Sequence, residues 1–321
     1  MKKIDVTALG ELLIDFTENG ISPQGNPVLE ANPGGAPCNV LAMLSKLGHR
    51  TAFVGKVGAD MFGHRLRKVV ADAGIDTSGL MEDKNVNTTL AFVHTKEDGD
   101  RDFSFYRNPG ADMMLTSADV KEDLLLDCRI FHFGTLSMTA DECRKATEDS
   151  IELAKHAGAL ISFDPNLRES LWDSLATAKE RTIYGLEHCD ILKISDNEIE
   201  WLTGEKDYKR AAERLKAKYD IPLILVSLGK QGSLAFSDAA FAEVPGYEVD
   251  TIETTGAGDT FCACVLHYVL EKGFRAYKRQ ELEEMLTFAN AAAAIVTTRK
   301  GALAVMPTKE EVEALIRSDK K

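Results

Sequence analysis

Short apolar runs alternate along this chain with longer amphipathic stretches. The runs predict strands at residues 3–9, 52–57, 130–134, 159–163, 191–194, 223–228 and 233–236. Several are apolar without interruption, as expected of strands covered on both faces. Between them, apolar residues recur at helical spacing over 37–47, 61–73, 141–156, 175–187 and 208–218. Beyond Gly256 the pattern is helical, over 258–271 and 280–298 and again from Lys309. Alternating strand and helix predicts an α/β fold, a mostly parallel central sheet flanked by helices. Ligands of such a fold collect at the carboxyl ends of the strands.

Two stretches break the rhythm. Residues 17–33 are rich in Gly, Pro, Asn and Ser, and 88–113 read as strands at 88–95 and 102–107 joined by a turn at 97–100. They form either a small sheet standing off the main body as a lid or ordinary surface hairpins. The whole of 1–321 is otherwise read as one domain, without an internal repeat.

Composition narrows the function. With 38 basic and 51 acidic residues the formal charge is −13, and no basic block offsets it. A nucleic-acid or anionic-membrane surface is therefore not expected. Near the start, Asp5, Glu11 and Asp15 interrupt any signal-like apolar segment, and no run approaches the roughly twenty residues of a membrane span. The six cysteines lie without a framework, which fits reduced thiols and a cytoplasmic location.

The sharpest local signal is Glu253-Thr254-Thr255-Gly256-Ala257-Gly258-Asp259-Thr260-Phe261 ahead of an apolar helix. Small residues at a helix start leave backbone N–H groups uncovered, and the helix dipole adds positive potential there. Asp259 in that pocket is either a helix cap or a carboxylate placed to take a hydroxyl proton as a phosphoryl group arrives. Upstream, Gly34-Gly35 permit close approach of a ligand or a hinge, and Asn39 can both donate and accept toward hydroxyls. Asp15 follows an apolar run and is either a hydroxyl acceptor or a turn residue. Asp164, Asn166 and Arg168 gather at one strand end, and Lys193, Ser195 and Glu198 at the next. A capping box accounts for Ser195 and Glu198 by itself. Ser227, Gly229 and Gly232 join two strands, as a hairpin or as a loop against which a nucleotide lies flat. Asn290 opens an alanine run that is a helix contact or a smooth wall for a planar base.

Taken together and in this order, these segments resemble the ribokinase/PfkB-type sugar kinases, with closest likeness to bacterial fructokinases. The likeness runs from Gly10-Glu11-Leu12-Leu13-Ile14-Asp15-Phe16 to Thr298-Arg299-Lys300-Gly301-Ala302. The fructokinase likeness rests on Asp164-Pro165-Asn166-Leu167-Arg168 and on the segment that includes Phe103, Arg107 and Asp112. The resemblance implies a ribokinase-like α/β domain with lid inserts at about 17–33 and 88–113, transferring the ATP γ-phosphoryl group to a sugar hydroxyl. It implies Asp259 as general base with Gly256, Ala257 and Gly258 as anion hole. It places Asp15, Gly34, Gly35, Asn39, Phe103, Arg107, Asn166 and Arg168 at the sugar. Lys193, Ser195, Ser227, Gly229, Gly232 and Asn290 fall at the nucleotide, and Glu198 organises Mg²⁺ through water.

The chain departs from the family pattern at Glu253, usually Asp and linked to a monovalent cation such as K⁺, and at Ser195, commonly Asn. D-Fructose is the expected acceptor. Kinases for 2-keto-3-deoxygluconate, ribose or a nucleoside remain alternatives, the first drawing on Arg107 for an acid group; for a phosphorylated substrate Arg101 and Arg107 are the obvious cations. A silent sugar-sensing module is a further alternative, and a homodimer through the lid is expected.

Overall fold

The computed structural model describes residues 2–95 and 101–319, with side chains at 94, 95 and 101–103 outside that description. The chain opens with β1 (Ile4–Leu9), β2 (Leu13–Ile21), β3 (Pro27–Gly34), α1 (Ala36–Lys46), β4 (Thr51–Gly58), α2 (Met61–Asp72) and β5 (Ile75–Asp83). Next come β6 (Leu90–Thr95), β7 (Arg101–Tyr106), α3 (Glu122–Leu126), β8 (Cys128–Gly134), α4 (Asp141–His156), β9 (Leu160–Asp164) and α5 (Leu175–His188). Then follow β10 (Ile191–Ser195), α6 (Asp196–Thr203), α7 (Tyr208–Tyr219), β11 (Leu223–Ser227), β12 (Ser233–Phe236) and β13 (Phe241–Val244). Three helices close the chain: α8 (Ala257–Lys272), α9 (Arg279–Thr297) and α10 (Lys309–Asp319).

The main sheet has nine strands in the order β13-β12-β11-β10-β9-β8-β1-β4-β5, parallel except where β12 and β13 turn back. Alternation in β11 divides its side chains between two apolar layers. Leu223 and Leu225 join α1, α2, α8, α9 and α10, while Ile224 and Val226 join α3, α4, α6 and α7. All eight residues of β4 are buried, Lys56 included, as expected of a strand covered on both faces. Helix α4 buries Cys143, Ala146, Thr147, Ser150, Ile151 and Ala154, the three- and four-residue spacing of one helical face. Side-chain caps start several helices: Asp60 for α2, Ser174 for α5, Ser195 for α6 and Asp207 for α7. Helices α1 and α8 have no such cap.

A second sheet, β3-β2-β6-β7, is built from the two stretches that broke the rhythm. Phe16 stacks on Phe92 within it and meets Phe62 of α2 edge-on at 5.7 Å, seating the sheet beside the main body. The turn expected at 97–100 lies outside the described residues. Strands β5 and β13 were not foreseen. Half of β5 is polar and partly exposed, so it lacks the continuous apolar signature of the central strands. Among the described residues, no helix is long and apolar enough to cross a membrane.

Candidate active site

Chain order reverses across β1, with β4 on one side and β8 on the other, and a cleft opens at the carboxyl ends there. Two uncapped helix N-termini meet in it. Gly35 begins α1 at φ 130°, where a side chain would collide with the Glu11 carbonyl. Gly256 begins α8 at φ 79°, where a methyl group would lie 2.6 Å from Ala302 Cβ. Only glycine fits either start. The first-turn N–H groups of α8 therefore remain open, beneath the positive end of a sixteen-residue helix.

Asp259 occupies the first turn of α8 and does not cap it. Its carboxylate turns to α1 and accepts from Asn39 Nδ2 at 2.8 Å, joining residues 220 apart in sequence. Asn39 Oδ1 is buried and has no partner among the described residues. A buried amide oxygen without a donor is costly, so it is an acceptor waiting for one. Burial raises the Asp259 pKa, against the Asn39 hydrogen bond and the positive charges of Lys193 and Arg168.

A cavity of about 410 Å³ opens in front of this pair. Asp15, from β2, lines it beside Asn39, Asn166, Arg168 and Asp259. Burial lifts Asp15 to about 7, with Arg168 opposing and Glu253 and Asp259 adding to the rise. Gly34, opposite Leu13 in the β2–β3 ladder, is required because any side chain there would strike the Asp15 carboxylate. Asn166 sits at φ 46°, a left-handed position that asparagine tolerates. Arg168 Nη1 donates to the carbonyls of Asn166 and Leu167, which holds the guanidinium on this loop.

Lys193 crosses the floor. Its ammonium pairs with Asp164 at 3.0 Å, and a side chain at Gly258 would come within 3.1 Å of it. Lys193 is held protonated: burial disfavours its charge, but Asp164, Glu198 and Asp259 together outweigh burial. Glu198 accepts from Leu167 N at 2.8 Å and, through its other oxygen, from Ser195 N and Oγ. Burial alone would raise its pKa; Lys193 and those donors bring it below the ordinary value.

A second cavity, of about 230 Å³, lies across the 254–258 loop and shares Thr254 and Gly258 with the first. Its chemistry is different. The lining carries no carboxylate and one cation, Lys230, with Val249, Ala293 and Ala294 as apolar wall. Gly229, at φ 56°, faces open space, and Gly232, at φ 110°, lets the chain pass against the Val244 carbonyl. One cavity rich in hydroxyl acceptors thus meets one suited to a planar, anionic ligand, and an open helix N-terminus lies between them.

The family model described as pfkB family carbohydrate kinase matches residues 3–309. The chain belongs to this family. Fructokinase-1 of Oryza sativa subsp. japonica is 41% identical over 315 residues, 98% of each chain. The crystal structure of fructokinase with bound ATP from Xylella fastidiosa superposes with a TM-score of 0.90 at 31% identity, over 100% of both chains. Fructokinase from Vibrio cholerae O395, in a fructose, ADP and calcium ion bound form, gives 0.86 at 29% identity over 98% of this chain and 99% of that one. A double mutant of the Vibrio protein has been solved with fructose, ADP and potassium ion bound. This PfkB protein is an ATP-dependent carbohydrate kinase.

Within this PfkB kinase, most residues singled out in the sequence line one of the two cavities: Asp15, Gly35, Asn39, Asn166, Arg168, Lys193, Glu253, Gly256, Gly258 and Asp259 the first, Ser227, Gly229, Gly232, Ala257 and Asn290 the second. Among the described side chains, three of the expected residues line neither cavity. Arg107 does not line the first; its buried guanidinium pairs with Asp112 at 2.7 Å and donates to Thr139 Oγ1 and the Leu136 carbonyl. Ser195 lines neither cavity, because its hydroxyl is committed to the Glu198 capping box. Gly34 acts through Asp15 and does not line the cavity. Asn290 lines the second cavity while its amide donates to the Val244 and Pro245 carbonyls and accepts from Ser233 Oγ. Phe103 lies opposite Val93 in the β6–β7 ladder, and its side chain lies outside the described part.

Sequence reasoning missed Glu11. Its carboxylate lines the cavity, accepts from Ala36 N at 2.8 Å and is lifted by burial to about 7. An acid directly after a strand's final glycine was the available signal. Phe105 also lines the cavity.

Proposed function

We propose that this kinase phosphorylates D-fructose to fructose 6-phosphate, with Asp259 as general base. The observation that carries the reading is the Asn39–Asp259 pair at the open N-terminus of α8, where the two cavities share Thr254 and Gly258. The choice of fructose is supported by the named fructokinases to which the chain is similar.

In this reading the sugar enters the acid-lined cavity and gives hydroxyl hydrogens to Asp15, Glu11 and Asn39 Oδ1, while Arg168 donates to a ring or hydroxyl oxygen. Asp259 takes the proton of the attacking hydroxyl. The hydroxyl oxygen forms its bond to the γ-phosphorus as the bond to the β-phosphate oxygen breaks, and ADP leaves. Charge grows on the transferring oxygens, where the N–H groups of 256–258 and the Lys193 ammonium meet it. Asn39 keeps the carboxylate aimed at the hydroxyl, and burial, by raising its pKa, makes Asp259 a better proton acceptor.

A divalent ion fits the chemistry on this side of the site, since Glu198 and Asp164 supply the hard oxygen donors that Mg²⁺ takes. When bound with ATP the ion neutralises phosphate charge, and Glu198 would hold it through water. Glu253 accepts from Thr255 Oγ1 at 2.6 Å and from Gly301 N at 2.9 Å, clasping two loops. A carboxylate has about four lone-pair sites, so two remain to support a monovalent cation such as K⁺.

The small sheet closes as a lid over the sugar, and seven of its residues, Asp15, Asn32 and Phe105 among them, line the cavity. Ile21 and Tyr106 of that sheet are 68% and 67% exposed, which supports a lid-to-lid homodimer that sedimentation velocity would detect. A coupled ADP-release assay over a panel of free sugars, in potassium and in sodium, tests the proposal. Fructose should be fastest by at least tenfold, and ADP release indifferent to the sugar would refute it. With Arg107 paired to Asp112, the observation that favoured a keto-acid substrate is gone.

A further inference from the structure

Far from both cavities, three metal-ligating groups converge where the ends of α1 and α8 pack together. His49 lies just beyond α1, and His267 and Glu271 stand four residues apart on one face of α8. His49 Nε2 is 2.7 Å from His267 Nδ1, and one ligand atom from each of His49, His267 and Glu271 lies within 4.8 Å of the others. Both rings are half-buried and Glu271 is exposed. Phe288 covers one side of His267, with ring centroids 5.8 Å apart. Asp5 and Arg129 also face His49, and Lys309 faces His267. Sugar binding and phosphoryl transfer use none of these groups.

A hydrogen bond between the rings would satisfy one nitrogen of each, but it leaves the third ligand, one turn further along the same face, without a part. We propose that His49, His267 and Glu271 form a binding site for one divalent transition-metal ion of the zinc class, which staples α1 to α8. Two imidazoles and a carboxylate are a zinc donor set, and three protein ligands leave the fourth position to water. Tetrahedral zinc at about 2.0–2.1 Å from each nitrogen needs donors about 3.3 Å apart, so the rings must open by roughly 0.6 Å. Burial holds both rings below their ordinary pKa and so in the neutral form that ligates.

His267 lies eight residues beyond Asp259, about 12 Å along the helix, so the ion cannot touch the reacting atoms. It ties together the two helices whose N-termini carry Asn39 and Asp259. Metal-free protein, prepared with a chelator and without nucleotide, is titrated with Zn²⁺ by equilibrium dialysis and melted with and without the ion. One ion per chain is expected, with Tm rising about 5 °C at a hundredfold excess over Kd. Co²⁺ in its place should give the visible absorption of a four- or five-coordinate site. Glu271→Gln, at an exposed position that leaves the fold intact, should weaken binding at least tenfold, and His267→Gln should abolish it. Absence of stoichiometric binding, or binding unchanged in both variants, would overturn the proposal.

Discussion

Asp259 accepts one hydrogen bond from the described side chains, from Asn39, and carries a pKa raised by burial. Asp259→Asn preserves shape and removes the proton acceptor. Its kcat should fall at least about a hundredfold, with nucleotide affinity little changed in equilibrium titration. The raised pKa also fixes a sign. The active form is the carboxylate, so kcat/KM should fall on the acid side, with an apparent pKa above the ordinary 3.8. Near-normal turnover of the folded variant would reduce Asp259 to a structural acid. At this scale the sequence was informative where glycines cluster and silent where partners are distant. The 256–259 run announced itself, whereas the Asn39 contact, 220 residues away, has no local signature. The pairing of Arg107 with Asp112 was likewise not anticipated, although the two lie only five residues apart.

Among the elements, α8 carries the heaviest functional demand, through the glycine at its N-cap position. Gly256→Ala forces φ 79° on a residue with a Cβ and presses that Cβ against Ala302. The N–H groups of 257 and 258 should then turn from the transferring phosphoryl group and lower kcat by about 10²–10³, with far-UV circular dichroism unchanged. The β2–β3 hairpin and the β6–β7 pair stand in a sheet of their own, and seven of their residues line the first cavity. Fructose alone should slow hydrogen exchange in both, and unchanged exchange would remove the lid role. The central strands were legible because both their faces are covered. Strand β2 was not, since its outer half is exposed and reads like loop, and β13 is a short edge strand with one buried residue.

Over the whole molecule, function and stability pull against each other at the sugar cavity. Asp15 goes from an ordinary 3.8 to about 7 on folding, so its ionisation opposes the folded state. Stability from this group is complete below about pH 4 and is lost as the pH rises through 7. Asp15→Asn should therefore stabilise the sugar-free protein at pH 8. The full shift corresponds to about 4 kcal/mol, but contact with solvent through the open cavity reduces this to about 1 kcal/mol, a Tm gain of about 2 °C. The same variant should lose at least tenfold in kcat/KM for sugar, and a melt at pH 8 showing no gain would count against a raised Asp15 pKa.

The central claim is that this cleft binds a neutral ketose and aims its primary hydroxyl at Asp259. Competition between D-fructose and 2-keto-3-deoxygluconate, mixed at equal concentration with limiting ATP, measures the ratio of the two kcat/KM values directly from the phosphorylated products. Fructose 6-phosphate should exceed the phosphorylated keto acid by at least about tenfold, because the Arg107 guanidinium is already paired with Asp112. A larger yield from the keto acid would contradict the account.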